Sequence, residues 1–225
     1  MNPPRWNRAF AHTVPAAARR RPLAVAAQAR EVWRRPTEGV TMSVAEPSPG
    51  TLRVLVVVAS KHGATRGIAE VLTDALTASG AGQRAGLTAA LYDAAHAPAP
   101  AHVDAVVIGS AVYAGRWREE ARDYVTAHAA QLRTTPVWLF SSGPIGAPPF
   151  PPDEPHDVHP LGQLVGARGH RVFPGRLDME LLSIGERAMV TAMRAPLGDF
   201  RDPEAVRAWA GKLAQELVGD RAARA

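Results

Sequence analysis

The chain has 225 residues, a length that favours one domain plus a tail, and it contains no cysteine, which excludes disulfides, iron–sulfur ligation and thiol nucleophiles. No run approaches the roughly 20 apolar residues that a membrane-spanning helix needs. The formal charge of +5 lies entirely in residues 1–50, which hold eight Arg and three Glu, while residues 51–225 carry 18 basic and 18 acidic residues. This neutral balance excludes nucleic-acid binding by the protein as a whole.

Residues 1–50 are rich in Pro, Arg and Ala, a composition that supports little packing, so we predict a disordered basic leader. The alternatives are a basic arm that touches anionic lipid and an upstream extension with true initiation at Met42. Three arginines at 19–21 precede an apolar stretch that is too short for a twin-arginine export signal, and we reject that interpretation. The folded domain is expected at residues 51–220.

The first strongly patterned stretch is a β-branched apolar run at residues 54–59, which predicts a strand buried on both faces, as in a parallel sheet. A loop of small residues follows at 60–65, called the first loop below. Beyond it, apolar residues recur with helical spacing at Ile68, Val71, Leu72, Ala75 and Leu76. We predict that Thr65 caps this helix and that Gly80 and Gly82 end it.

A strand, a short loop and a helix in this order form an anion site, because the first N–H groups of a helix lack intrahelical partners and carry partial positive charge. Ser60 and Thr65 supply hydroxyls, and Gly63 allows close backbone approach. The Walker and dinucleotide-binding patterns are absent, so the spacing favours a single terminal phosphate. An ordinary turn between strand and helix is the alternative.

Further strands are predicted at residues 83–90, 104–110, 136–143 and 169–173. Two of them run into stretches of small residues, the second loop at 110–115 and the third loop at 141–146. Because ligands of open α/β sheets bind at the carboxyl ends of the strands, we expect the three loops to converge there.

A helix is predicted at residues 121–132, with His128 packed on its apolar face rather than serving as a ligand. Arg116 and Arg118 precede it and suit the carboxylates of a substrate, since guanidinium pairs with them in a bidentate way. The alternative is that both arginines are solvated near Glu119 and Glu120.

Residues 147–160 form a Pro-rich loop, for which a lid over the site is the favoured role. His156 and His159 have metal-ligand spacing, with Asp153 and Asp157 nearby, but a loop without further support makes a poor metal site and we expect none. A short helix is predicted at 161–167. An apolar helix at 181–193 suggests a dimer or quinone-facing surface, or plain core packing, and Asp202 and Pro203 begin a final helix.

Three segments carry a resemblance to a known family: Ala59-Ser-Lys-His-Gly-Ala-Thr65, Gly109-Ser-Ala-Val-Tyr-Ala-Gly115 and Phe140-Ser-Ser-Gly-Pro144. From about residue 52 to 217 the chain resembles flavodoxin-like proteins, in a subgroup similar to menaquinone-dependent protoporphyrinogen dehydrogenase. His62 stands where the flavodoxin loop usually has Thr, and the third loop lacks the aromatic that many flavodoxins place there. The resemblance implies an α/β, three-layer αβα sandwich with a five-stranded parallel sheet of order 2-1-3-4-5.

The same resemblance implies FMN as cofactor. It places the phosphate on the first loop, at Ser60, Lys61, His62, Gly63, Ala64 and Thr65. It places the flavin ring on the other two loops, at Ser110, Ala111, Val112, Tyr113, Gly115, Ser141, Ser142, Gly143 and Pro144. Tyr113 is expected to stack on the ring, with a half-buried loop aromatic as the alternative, and Trp117 and Phe150 are further stacking candidates. Arg116, Trp117 and Arg118 are the expected substrate contacts.

As function the resemblance implies an FMN-dependent oxidoreductase, with protoporphyrinogen as a substrate of haem biosynthesis and a quinone or a protein as electron acceptor. The sequence identifies no side chain as a catalytic acid or base. The alternatives are a flavodoxin-type electron carrier and a non-catalytic flavin-binding regulatory module. The expected location is the cytoplasm, or the inner face of the membrane if the protein associates peripherally; a homodimer is the further assembly considered.

Overall fold

The computed structural model describes residues 51–143, 145–146 and 155–224. The expected leader at 1–50, Pro144, and residues 147–154 of the Pro-rich loop, with Phe150 and Asp153, lie outside the described residues.

Five parallel strands and one short antiparallel strand form the sheet, and the number and order of the parallel strands confirm the predicted fold class. The six strands are β1 (Arg53–Ala59), β2 (Thr88–Asp93), β3 (Ala105–Tyr113), β4 (Arg116–Trp117), β5 (Val137–Ser142) and β6 (Gly169–Phe173). The parallel order is β2-β1-β3-β5-β6, and the two-residue β4 pairs antiparallel with β3 as an addition to the predicted sheet. The carboxyl ends of β1, β3 and β5 therefore lie side by side.

Helices cover both faces of the sheet and give the three layers. They are α1 (Ala64–Ala78), α2 (Gly80–Arg84), α3 (Glu119–Ala127), α4 (Ala129–Leu132), α5 (Val158–Val165), α6 (Ile184–Ala192) and α7 (Pro203–Arg224). Helices α1, α2 and α7 pack together, and α3, α4 and α5 form a second group. A strand exposes alternate residues to opposite faces, so the unbroken apolar run of β1 serves both groups.

Two apolar cores result. Leu55 and Val57 of β1 pack with Tyr124 and Leu161 in the core beneath α3 and α5. In the other core the rings of Phe140, Phe173 and Trp209 meet edge to face, with centroids 5.5 to 6.2 Å apart. Each fully buried large apolar side chain contributes about 1.5–3 kcal/mol relative to an exposed one.

The first helix begins earlier than predicted. Gly63, with φ +77°, is its N-cap residue, whereas Thr65 lies inside the first turn and is buried, so the prediction that Thr65 caps the helix is wrong. A glycine tolerates this left-handed backbone and tightens the turn. Helix α1 ends at Ala78, just before Gly80, as predicted, but Ser79 accepts from the N–H of Gly82 and starts the short helix α2. Residues 83–87 are thus used in a helix and a turn, and β2 begins only at Thr88.

The second loop is largely a strand. β3 continues to Tyr113, and Ala114 and Gly115 form a tight turn with φ of +49° and +72° before β4. Positive φ at both central residues is the signature of a type I′ hairpin. The predicted helix at 121–132 divides at His128, whose ring packs on Tyr124 with centroids 4.7 Å apart, as expected for a packed histidine.

Between β6 and α7 lies the inserted segment, defined here as residues 175–199. It contains the antiparallel pair β7 (Arg176–Leu177) and β8 (Gly198–Asp199), a 3-10 turn at Met179–Leu181, and α6. No residue of α6 is buried, so the alternative that this helix packs in the core is wrong. The prediction for the final helix is confirmed: Asp202 Oδ1 accepts from the backbone N–H of Glu204 and Ala205 at 3.0 Å. Among the described residues, no helix combines the length and apolar character of a membrane span.

Candidate functional site

A cavity of about 230 Å³ lies at the carboxyl edge of the sheet, where all three predicted loops and the inserted segment contribute to its lining. The predicted site residues that line it are Ser60, Lys61, His62, Ala64, Thr65, Ala111, Val112, Tyr113, Ser142 and Gly143. The convergence expected from strand order therefore occurs. The described predicted residues outside the lining are Gly63, Ser110, Gly115, Arg116, Trp117, Arg118 and Ser141.

The first loop ends at the N-terminus of α1, a helix of 15 residues with no acidic side chain in its first turn and no side-chain cap. Its first N–H groups and the positive end of its dipole are thus left to an anionic partner. A Cβ added at Gly63 would meet no atom within 4 Å, so the space above the loop is open.

Ser60 gives the most direct sign that a ligand belongs here. Its Oγ is buried and has no hydrogen-bond partner among the described residues, although Ser60 lines the cavity. A buried hydroxyl without a partner costs about 1–3 kcal/mol, which a ligand oxygen would recover. Together with Thr65 and the helix N-terminus, Ser60 fits a phosphate group.

A cluster of charged and aromatic side chains joins the first loop to its neighbours. Glu186 Oε1 accepts from Lys61 Nζ at 2.8 Å and lies 3.1 Å from His62 Nε2. Lys61 Nζ also lies 5.3 Å from the centroid of the Tyr113 ring, and the His62 and Tyr113 centroids are 6.3 Å apart. Arg176 Nη2 donates to the His62 carbonyl at 3.5 Å. The first loop, the second loop and the inserted segment are therefore in contact.

Two pKa values are displaced in this cluster. Hydrogen bonds from Lys61, then from Ser183 and His62, hold the pKa of Glu186 well below its ordinary range, so it is a carboxylate at neutral pH. Burial, and secondarily the Glu186 carboxylate, raises the pKa of Tyr113 to about 12. Tyr113 is 39% exposed and therefore presents part of its ring to the cavity as a neutral phenol.

Ser110 and Ser141 do not act as ligand-facing hydroxyls. Ser110 Oγ donates to the Ala111 carbonyl at 2.8 Å and accepts from the Arg118 N–H at 2.9 Å. Ser141 Oγ accepts from Trp117 Nε1 at 2.8 Å and lies 2.8 Å from His170 Nε2. Both serines are fully buried, and their bonds hold β4 against the sheet.

The expected substrate contacts also lie elsewhere. Trp117 is only 2% exposed and belongs to the core, so it is not placed to stack on a ligand in the cavity. Arg118 forms an ion pair with Glu120, which lowers the pKa of that carboxyl, as in the alternative of a solvated pair. Arg116 lies exposed on β4, away from the cavity lining.

The two histidines of the Pro-rich loop form contacts with other protein groups. The His156 N–H donates to the Gly115 carbonyl at 2.9 Å, and the Asp157 carboxylate accepts from the Trp117 N–H at 3.0 and 3.1 Å. His159 Nε2 lies 2.9 Å from Gln163 Nε2. Within the residues that the structure describes, no group of three or more His, Cys, Asp or Glu could hold a metal ion.

Sequence reasoning missed the contribution of the inserted segment. It lines the cavity with Gly175, Arg176, Leu177, Asp178, Leu181, Leu182, Glu186, Met189, Val190, Met193 and Ala195. Ile145 of the third loop was also missed. One local signal was available: the pair Ser183 and Glu186 forms a capping box that fixes the start of α6. That pattern predicts the helix but not its contact with the first loop.

A doubly wound parallel sheet, with an uncapped helix N-terminus and loops that converge at its carboxyl edge, is the arrangement of open α/β nucleotide-binding domains. The family model described as flavodoxin domain matches residues 55–204. The chain therefore belongs to the flavodoxin domain family, and residues 51–224 contain a flavodoxin-type, flavin-binding domain.

Solved structures share this fold at low sequence identity. A flavodoxin from the domain Archaea superposes with a TM-score of 0.51 at 10% identity, covering 74% of this chain and 99% of the other. The metal-soaked Flv1 flavodiiron core from Synechocystis sp. PCC6803 gives a TM-score of 0.52 at 13% identity and covers 75% of this chain. The present chain spans only 36% of that flavodiiron core. No curated protein is significantly similar to the chain in sequence.

Proposed function

We propose that the protein binds FMN at this cavity and serves as an electron-transfer domain. The observation that carries the proposal is the buried Ser60 Oγ beside the N-terminus of α1, which has no hydrogen-bond partner within the described part of the chain. Ser60, Thr65 and the first N–H groups of α1 would hold the phosphate. Tyr113 and the backbone around Gly143 would contact the ring. Bound FMN supplies reversible redox chemistry, and the chain supplies binding, orientation and electrostatics.

The contacts of Tyr113 limit how the ring sits. Lys61 Nζ lies over this ring at 5.3 Å from its centroid, so a stacked flavin would use the opposite face. The phenol is neutral at physiological pH, and burial moves its pKa further from that range, to about 12. Tyr113 would therefore offer the flavin an uncharged aromatic surface.

A second candidate is an oxidoreductase, and its most specific form is protoporphyrinogen oxidation with a quinone acceptor. It is favoured by the apolar side chains that the inserted segment adds to the cavity, Leu181, Met189, Val190 and Met193 among them. The carrier is the main proposal because family membership supports flavin binding and electron transfer without requiring a substrate pocket. A cytoplasmic location, peripheral membrane association and a homodimer belong to the proposal as well.

FMN titration of the purified protein tests the cofactor. Thr65→Val should weaken FMN binding about 10- to 150-fold, the range for a lost hydrogen bond to a charged group. Thr73→Val is the matched control on the same helix, because Thr73 Oγ1 bonds the Ala69 carbonyl at 2.7 Å and Thr73 does not line the cavity. Equal FMN affinity of Thr65→Val and wild type would place the phosphate elsewhere.

Anaerobic reduction then separates the two candidates. Reduction of the flavin only by a reductase partner supports the carrier. Reduction by protoporphyrinogen, with reoxidation by a menaquinone analogue, supports the enzyme. A protein that remains colourless after incubation with FMN would remove both.

A further inference from the structure

The inserted segment carries an apolar surface that its own fold does not use. Met189 is 63% exposed and Met193 is 51% exposed, yet both line the cavity. No residue of α6 is buried. Because exposed apolar area favours burial against a ligand or a partner, these side chains need a role outside the core.

Glu186 attaches this surface to the first loop. One carboxylate oxygen, Oε1, contacts Lys61 Nζ and His62 Nε2 of the first loop. The other, Oε2, accepts from the Ser183 N–H at 2.9 Å and from Ser183 Oγ at 2.7 Å. Glu186 thus joins the start of α6 to the loop where the phosphate is proposed to bind, and both oxygens are engaged.

The cavity consequently has two different ends. Hydroxyls and a helix N-terminus lie at the first loop, whereas Leu181, Val190 and the two methionines add apolar walls. The third loop contains no aromatic residue between 141 and 146, so a planar ring must find its second contact surface on another element. Methionine suits this task because its thioether adapts to an aromatic face and interacts favourably with it.

We propose that Met189 and Met193 pack against the flavin ring and that Glu186 is the positioning residue that holds them there. This inference rests on the proposed FMN site. It identifies the two methionines as the contact surface that takes the place of a third-loop aromatic. The inserted segment is then part of the cofactor site rather than a separate partner surface.

The first test compares ring contacts with phosphate contacts. The double variant Met189→Gln/Met193→Gln should bind FMN about tenfold more weakly and should lose affinity for riboflavin, which lacks the phosphate, by the same factor. Thr65→Val should weaken FMN binding alone. Ile184→Gln is the matched control: Ile184 lies on the same helix, is 88% exposed and does not line the cavity, so its FMN affinity should match wild type.

The second test addresses whether Glu186 holds α6, and with it the two methionines, in position. Glu186→Gln should increase quenching of the bound flavin's fluorescence by an uncharged quencher such as acrylamide, because the ring becomes more accessible when α6 is no longer held. Glu180→Gln removes the same charge from an exposed site in the same segment and should leave quenching unchanged. Quenching reports access to the bound ring, a quantity that lower global stability alone does not change.

Each outcome decides the matter. If the methionine variant bound both FMN and riboflavin as tightly as wild type does, this inference would be overturned and the FMN site would stand. Unchanged quenching in Glu186→Gln would overturn the role of Glu186. Failure of the wild-type protein to bind FMN would overturn the proposed function and this inference together.

Discussion

Ser60 and Ser110 look alike in the sequence, since each follows a buried apolar run of a central strand, yet replacing them by alanine should have opposite effects. Ser60 Oγ is buried and has no partner in the residues that the structure describes, whereas Ser110 Oγ bonds both the Ala111 carbonyl and the Arg118 N–H. Ser60→Ala removes an unsatisfied group. Ser110→Ala leaves two backbone groups without their partner.

The magnitudes follow from these contacts. Each buried polar group left unsatisfied costs about 1–3 kcal/mol, so Ser110→Ala should lower the free energy of unfolding by about 2 kcal/mol or more. Ser60→Ala should leave the free energy of unfolding of the ligand-free protein unchanged or raise it by up to about 1 kcal/mol. FMN affinity is where Ser60→Ala should be the weaker variant. It loses a hydrogen bond to the charged phosphate and should bind FMN about 10- to 150-fold more weakly.

Urea unfolding without FMN and fluorescence titration with FMN measure the two quantities separately. The reasoning is refuted if Ser60→Ala destabilises the ligand-free protein by more than about 1 kcal/mol, because the hydroxyl would then have a structural partner. It is equally refuted if Ser60→Ala binds FMN as tightly as wild type. Ser110→Ala serves as the control that a buried strand-end serine with partners behaves differently.

Two further predictions concern packing and pH. A Cβ added at Gly109 would lie 2.0 Å from Phe140 Cζ, so Gly109→Ala should destabilise by about 1–3 kcal/mol or more, while Gly162→Ala, whose nearest atom would be 3.6 Å away, should be neutral or slightly stabilising in thermal unfolding. Equal melting temperatures for the two variants would contradict this account. The pKa of Glu186 is lowered in the folded state, so its stabilisation is present above its ordinary pKa of 4.5 and is lost as pH falls through the lower folded-state pKa. The difference in unfolding free energy between wild type and Glu186→Gln should be constant near neutral pH and shrink in acid; a difference that grows in acid would be the wrong sign.

Local patterns predicted most of the elements that build the fold. The six apolar residues at 54–59 indicate a strand with two buried faces, and further buried runs predict the strands at 104–110 and 136–143. The strand order was implied by the resemblance to flavodoxin-like proteins, and the structure confirms it. The capping pattern at Asp202 and Pro203 placed the start of α7 correctly. One error came where local signals competed: Ser79 caps a second short helix directly after α1, so the strand expected at 83–90 begins only at Thr88.

The sequence by itself thus determined the buried strands, the open turn at Gly63 and the presence of three loops at one edge of a parallel sheet. Tertiary structure decided which polar groups face the cavity: Trp117 Nε1 donates to Ser141 Oγ across 24 residues, while Ser60 Oγ has no partner over the ranges that the structure describes. It also brought Glu186 to Lys61 across 125 residues, which placed the inserted segment on the first loop. The physical reason is that the spacing of buried residues and the capping of a helix depend on residues that are close in sequence. The partner of a hydroxyl or a carboxylate instead depends on distant segments that only the folded chain brings together.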